Sequence, residues 1–176
     1  RFPRLIVISV LIGTLTSLAF FLVVVVGEDA WRTPQYVIPI AGMIIGNAMT
    51  GITLGATRMV DGIRSRRAEV ESALMLGATP RAATRLIVRS SFDAAILPTV
   101  NSMVGMGIVI LPGMMTGQIL SGTSPLIAIK YQIAIMLGIL GSVSFSVLIL
   151  AEWGYRTFFT AEAQLRTETL PQRQAR

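Results

Sequence analysis

Leu5-Ile6-Val7-Ile8-Ser9-Val10-Leu11-Ile12-Gly13-Thr14-Leu15-Thr16-Ser17-Leu18-Ala19-Phe20-Phe21-Leu22-Val23-Val24-Val25-Val26 runs without a single charge. At 1.5 Å rise per residue, ~20 such positions as a helix cross the hydrocarbon of a bilayer. The rest of the chain agrees. Of its 176 residues, 53% are hydrophobic and 14% charged, and the mean hydropathy is +0.70. A soluble domain carries roughly 25% charged residues, so this chain lacks the polar residues for a water-facing skin. The fold class expected is all-α: a polytopic transmembrane helical bundle.

Working outward, Pro3 to Val26 is the first span, and residues 36–54, 94–111 and 126–150 are three more. The second carries Gly42, Gly46, Asn47, Thr50, Gly51 and Thr53, small and polar residues that let helices approach closely. The third holds Pro98 and Asn101, and the fourth starts near Lys130, Tyr131 and Gln132. Between spans lie a loop at 27–35 with Trp31, a loop at 55–93, and an uncharged stretch at 112–125. A polar tail runs from Glu152 to Arg176.

Charge orients these spans. Loop 55–93 sets Arg58, Arg64, Arg66, Arg67, Arg81, Arg85 and Arg89 against Asp61, Glu69, Glu71 and Asp93, a net of +3. Loop 27–35 sets Arg32 against Glu28 and Asp29, and 112–125 has no charge. Lys/Arg excess marks cytoplasmic loops, so 55–93 is expected inside the cell, with both termini beside it. The net charge of +6 then reflects membrane topology rather than nucleic-acid binding. The chain reads as one transmembrane domain, 1–176, without internal repeats. The chain begins at Arg1 rather than Met, which fits either a processed chain or a fragment with residues missing upstream.

Histidine and cysteine are both absent. Disulfides, zinc sites, Ser-His or thiol catalysis, and haem ligation by His or Cys fall away together. A membrane enzyme of those types is therefore excluded. Gly51-Ile52-Thr53-Leu54-Gly55 lacks the lysine of a phosphate-binding loop, so the chain has no ATPase motif of its own.

Loop 55–93 reads as two short helices. The first is expected over Thr57–Leu76 as a continuation of the second span, ending at Gly77, the usual residue for a left-handed position. Thr79 is a good N-cap and Pro80 a good first residue for a second helix reaching about Ser91. Ala82, Ala83, Leu86 and Ile87 give that helix an apolar stripe, and Arg81, Arg85 and Arg89 a basic one. Residue type alone fits either a helix pair lying among lipid headgroups or an element that docks on a cytoplasmic partner.

The stretch Glu71-Ser72-Ala73-Leu74-Met75-Leu76-Gly77-Ala78-Thr79-Pro80 resembles the EAA loop of ABC-transporter permeases. Glu71, Ala73, Gly77, Ala78, Thr79 and Pro80 match in register. Ser72 replaces an alanine, and Arg89-Ser90 stands where a Leu-Pro would fall. The resemblance implies a coupling helix that seats in a cytoplasmic ATP-binding subunit, with Arg81 and Arg85 on the following helix. It implies that ATP and Mg are bound by that partner, with no cofactor on this chain, and that two permease copies pair.

A second resemblance spans most of the chain. Ile40-Ala41-Gly42-Met43-Ile44-Ile45-Gly46-Asn47-Ala48-Met49, Leu111-Pro112-Gly113-Met114-Met115-Thr116-Gly117-Gln118-Ile119-Leu120, and Phe158-Phe159-Thr160 with Gln164-Leu165 look like the FetB/YbbM family. Those are permease subunits linked to iron export, with plant relatives linked to aluminium tolerance. Family members are longer at the N-terminus. The resemblance implies a bacterial inner-membrane permease exporting iron or another metal ion.

The residues leave the substrate open. Iron(II) is usually held by imidazole and carboxylate; there is no histidine, and no Asp or Glu lies near a span centre. Candidates for a translocation path are Asn47, Asn101, Pro112, Gly113, Met114, Met115, Thr116 and Gln118. For Asn47 and Asn101 the competing role is an interhelical hydrogen bond; for Met114 and Met115 it is packing. Pro112, Gly113, Gly117 and Gly122 suggest irregular backbone, either lining a cavity or forming an outside turn. Which residues would hold a metal is left open. An ABC permease for a small organic solute and a non-transporting membrane scaffold or receptor are the alternative functions.

Overall fold

The computed structural model describes residues 2–26, 34–108, 112–160 and 164–165. Helix α1 covers Phe2–Phe20 and widens into a π-helical turn over Phe21–Val26. Helix α2 is Pro34–Ser65, α3 Arg67–Met75, α4 Pro80–Ile108, α5 Gly113–Leu120 and α6 Pro125–Gly154. A 3₁₀ turn, Tyr155–Phe158, follows α6, and Phe159 makes an isolated antiparallel bridge with Leu165. Among the described residues three stretches are long and apolar enough to cross a membrane: Arg4–Val23, Val37–Ser65 and Pro125–Phe158, with mean hydropathies of 2.5, 1.7 and 2.5. The polytopic helical bundle is the observed fold.

Several boundaries differ from the sequence reading. Gly55 and Ala56 are buried inside α2 rather than opening a loop. The helix expected over 57–76 is divided at Arg66, whose φ of −107° and ψ of 25° leave the helical region. That bend turns Val70 back onto Ile63 and Ile87, where it is buried. Helix α4 does not stop near Ser91. Ser91 donates to the Ile87 carbonyl at 2.8 Å, is buried, and the helix continues through Pro98 to Ile108. No residue between Ser91 and Ala94 breaks a helix, so the second cytoplasmic helix and the span expected at 94–111 are one rod. Positions 109–111 lie outside the described residues.

Two further corrections concern the ends. The stretch 112–125 is helical rather than irregular: Gly113 and Gly117 sit within α5, and only Gly122 takes a positive φ. The tail expected to be polar from Glu152 begins with buried Tyr155, Phe158 and Phe159. Trp31 and most of the loop at 27–35 lie outside the described residues; Pro34 and Gln35 already belong to α2.

Among the described residues the core forms three clusters along the bundle. Met59, Ile63, Val70 and Ile87 meet Ala151, Tyr155 and Phe158 at one end. Ile52, Ala56, Ala95, Val143 and Val147 make the middle, with Ile6 and Val10 against them. Phe21, Ile40, Ile44 and Ile135 close the other end, with Met114 packed on them. The order of residues in these clusters sets direction: α2 and α6 run one way, α1 and α4 the other. The first turns of α1, the α3–α4 region and the foot of α6 therefore share one end of the bundle, and α5 lies at the opposite end.

Close helix approach depends on missing side chains. A Cβ on Gly13 would stand 1.9 Å from Ser146 Oγ and 2.8 Å from Ser146 Cα, so α1 packs directly on the backbone of α6. A Cβ on Gly46 would meet nothing within 4 Å. Gly13→Val is therefore expected to push α1 off α6 and cost roughly 1–3 kcal/mol, as overpacking does. Gly46→Ala is expected to hold or slightly raise stability. Thermal unfolding in detergent checks the pair; an unchanged midpoint for Gly13→Val would remove the α1–α6 contact from the account.

Candidate functional site

The segment matching the permease loop folds as a helix, a tight turn and a second helix. At the end of α3 the Gly77 N–H donates to the Leu74 carbonyl and the Ala78 N–H to the Ala73 carbonyl, both at 3.0 Å. This paired pattern satisfies the last carbonyls of α3 and requires a left-handed residue; Gly77 has φ of +87°. Thr79 then caps α4: its Oγ1 accepts from the Ala82 N–H at 3.3 Å and its carbonyl from the Ala83 N–H at 3.0 Å. Pro80 opens α4, where the absent N–H costs nothing. The turn and the cap together satisfy backbone groups at the end of α3 and the start of α4.

The elbow is pinned on one side and bare on the other. Val70, with Leu74 and Ala83 behind it, joins the cluster of Ile63 and Ile87. Met75 and Leu76, at the tip, are 87% and 89% exposed. Glu71 is held by Arg67 one turn earlier, Nε to Oε1 at 2.7 Å. Arg81 pairs with Glu152 at the foot of α6, which ties the start of α4 to the end of α6. Arg85 projects outward two turns into α4. Sequence spacing indicated the Gly77 and Thr79–Pro80 geometry. It missed the exposed Met75–Leu76 tip and the Arg81–Glu152 tie, because partners 71 residues apart leave no local signal.

The path candidates fall in two places. Pro112 precedes α5 as its N-cap, Gly113 is exposed, and Thr116 donates to the Pro112 carbonyl at 3.2 Å. Met114 packs on the outer cluster, and Met115 is half-buried. Gln118 has a buried Oε1 with no hydrogen-bond partner among the described residues. Asn47 and Asn101 stand apart from these, exposed on α2 and α4. The Asn47 amide donates to the Met43 carbonyl of its own helix at 2.8 Å, so that bond does not join two helices.

Asn47 and Asn101 do share a level. Gly55 faces Ser91 and Ala95, and Gly51 faces Ala95; one turn further on brings residues near 47 opposite residues near 100. The outward side of α2 there reads Gly42, Gly46, Asn47, Thr50 and Thr53, all exposed, with Ile45 and Met49 among them. Thr50 and Thr53 return their hydroxyls to the Gly46 and Met49 carbonyls at 3.1 and 2.8 Å. By contrast, α1 exposes Val7, Leu11 and Leu15, and α6 exposes Ile133, Leu137 and Leu148. Aliphatic faces suit lipid; a small, polar face on a spanning helix suits protein or a cavity. Among the described residues no group of three or more Asp or Glu side chains could hold a metal ion.

Comparison with known proteins identifies the family of the chain. The family described as uncharacterised protein family UPF0014 matches residues 1–159. A UPF0014 membrane protein of Synechocystis is 41% identical over 153 residues, 87% of this chain and 59% of that protein. The Escherichia coli protein named "Probable iron export permease protein FetB" is 39% identical over 158 residues, 90% of this chain and 60% of that one. The Arabidopsis thaliana protein ALUMINUM SENSITIVE 3 is 41% identical over 162 residues, 91% of this chain and 58% of that one. The chain thus spans about three fifths of the length of these relatives. No solved structure matches it.

The elbow geometry makes a local prediction. Gly77→Ala forces a side chain into the left-handed region and is expected to cost about 1–2 kcal/mol. Thr79→Ala removes the cap and is expected to cost about 0.5–2 kcal/mol. Hydrogen–deuterium exchange should show faster exchange confined to residues 73–84 in both variants, with the α1–α6 contact still protected.

Proposed function

The chain belongs to the UPF0014 family of membrane proteins, and on that premise we propose that it is part of the permease subunit of an ABC transporter. Its work is ATP-driven export of iron or another metal ion. The observation that carries the reading is the elbow: a hydrogen-bonded, N-capped reversal at Gly77, pinned by Val70, that presents Met75 and Leu76 to solvent. Two exposed aliphatic side chains on a rigid tip fit a cleft in another protein. In this reading the tip seats in a cytoplasmic ATP-binding subunit, which holds ATP and Mg, and the end of the bundle that carries the elbow faces the cytoplasm together with both chain termini.

Motion of the tip passes to two long helices at once. Helix α4 begins at the elbow, and the Arg81–Glu152 pair ties it to α6. Glu71, held by Arg67, keeps a charge beside the tip, and Arg85 adds positive charge on the next turns. Two copies pair through the polar face of α2 and α4, so that Asn47, Thr50 and Asn101 line a path between them. The support for pairing there is physical: those groups are poorly matched to lipid. The residues at 112–118 cap the opposite end of this path.

The substrate follows from the name of the Escherichia coli relative. A small organic solute is the second reading, favoured by a chain without histidine or cysteine whose outward polar groups are amides and hydroxyls. Any metal would have to pass along oxygen and thioether ligands.

Two measurements test this separately. The full-length protein should co-purify with its candidate ATPase and stimulate ATP hydrolysis. Leu76→Asp and Glu71→Lys should weaken association at least tenfold, and retention of binding and stimulation in both would sink the docking role. Metal content and efflux should then be compared, metal by metal, in cells lacking the gene. Unchanged iron removes the iron assignment and leaves the permease reading standing.

A further inference from the structure

Toward their charged ends, α4 and α6 diverge around a cleft of about 600 Å³, within the roughly 300–1,000 Å³ of small-ligand sites. Its wall is apolar, made by Val88 and Phe92 of α4 with Leu148 and Ala151 of α6. Its rim is basic. Arg81 is spent on Glu152, whereas Arg85 and Arg89, also lining the cleft, are exposed and make no ion pair among the described residues.

The position of the cleft identifies what fits it. Beyond Asp93 α4 is charge-free, and α6 is charge-free from Gln132 to Leu150. The cleft therefore straddles the boundary between the hydrocarbon-facing and water-facing parts of the bundle. Leu148 is exposed on the hydrocarbon side, and Trp153, an interfacial residue type, is exposed one turn below it. A ligand here meets two unpaired guanidinium groups at one end and an aliphatic and aromatic wall at the other. Guanidinium forks match phosphate oxygens. A free phosphate would use the rim alone and leave the wall unfilled.

We propose that this cleft binds one anionic glycerophospholipid. Its phosphate lies at Arg85 and Arg89, and an acyl chain lies along Phe92 and Leu148. The site explains the basic stripe of α4 independently of partner docking: it fixes the foot of α4 at the membrane surface, next to the elbow. It rests on the membrane-embedded reading of the bundle and not on the transport reading, so failure of ATPase association would leave it intact.

The test is native mass spectrometry of the full-length protein in neutral detergent. It is titrated with dioleoyl phosphatidylglycerol, dioleoyl phosphatidylcholine and, separately, inorganic phosphate. One phosphatidylglycerol should bind in preference to phosphatidylcholine. Arg85→Gln with Arg89→Gln should weaken it by about fivefold per arginine, on the order of 25-fold together. Arg64→Gln, on α2 outside the cleft, should leave it unchanged. Arg85→Lys with Arg89→Lys keeps the charge and should keep the preference, which guards against a glutamine pair that fails to fold. Equal affinity for the two lipids, full retention in the glutamine pair, or loss of preference in the lysine pair overturns the proposal. So does inorganic phosphate displacing the lipid, or the absence of any bound phospholipid.

Discussion

A polypeptide in a bilayer cannot leave backbone N–H and C=O groups bare, because no water is there to accept them. Even at a water-exposed end a helix leaves its last carbonyls without partners inside the helix, and among the described residues the chain closes two reversals with the same chemistry. Leu76-Gly77-Ala78-Thr79-Pro80 and Ser121-Gly122-Thr123-Ser124-Pro125 each place a glycine in the left-handed region, a hydroxyl at the N-cap and a proline at the first helical position. At Gly122 the N–H donates to the Ile119 carbonyl at 3.0 Å and that of Thr123 to the Gln118 carbonyl at 2.9 Å. Ser124 accepts from the Ile127 N–H at 3.4 Å. The first turn leads into α4 and the second into α6, so the two helices joined by Arg81–Glu152 start from matching turns. What separates them is what they carry: arginines follow the first, and none follows the second.

Much of this was legible in sequence because turn chemistry is local. Gly77, Thr79 and Pro80 announce their conformations by residue type, and the charge-free run through Val26 announces a span by length. The boundaries missed depend on distant partners. Arg66 breaks a helix, although its type favours one, because Val70 must turn inward to reach Ile87. Gly55 looks like a loop opening and is instead a packing site, filled by Ala95 and Val147 from α4 and α6. Tyr155, Phe158 and Phe159 sit in a region whose charges suggest a tail, yet they finish the core at that end. The candidate site divides the same way: the elbow is written in its own residues, and the polar face of α2 takes its meaning from which side of the helix its neighbours leave uncovered.

The two outward surfaces of the bundle pose different demands on the membrane. Around α1 and α6 the exposed residues are large and aliphatic, and lipid can cover them at no cost. Along α2 glycine, threonine and asparagine stand exposed beside Ile38, Ile45, Met49 and Leu54, and the hydroxyls of Thr50 and Thr53 and the Asn47 amide are turned back on their own helix at Gly46, Met49 and Met43. That self-bonding lowers the cost of a lipid environment without removing it, and it leaves the surface free to exchange partners. A face that is neither fully satisfied nor strongly committed is suited to a contact that opens and closes.

Helix α4 carries one more consequence. Its 29 residues make a rod of roughly 43 Å, long enough that a tilt of ten degrees at the elbow would displace its far end by roughly 7 Å. Pro98 interrupts that rod, because a proline has no N–H to give the carbonyl four residues earlier, that of Ala94. Below the interruption, Ala95 and Ile87 are locked into two core clusters; above it, Val100, Asn101 and Val104 are exposed. Beyond the interruption Thr99 is still buried and the Gln132 amide of α6 still reaches the Met106 sulfur at 3.7 Å, so the outer part of the rod is held on one face and bare on the other.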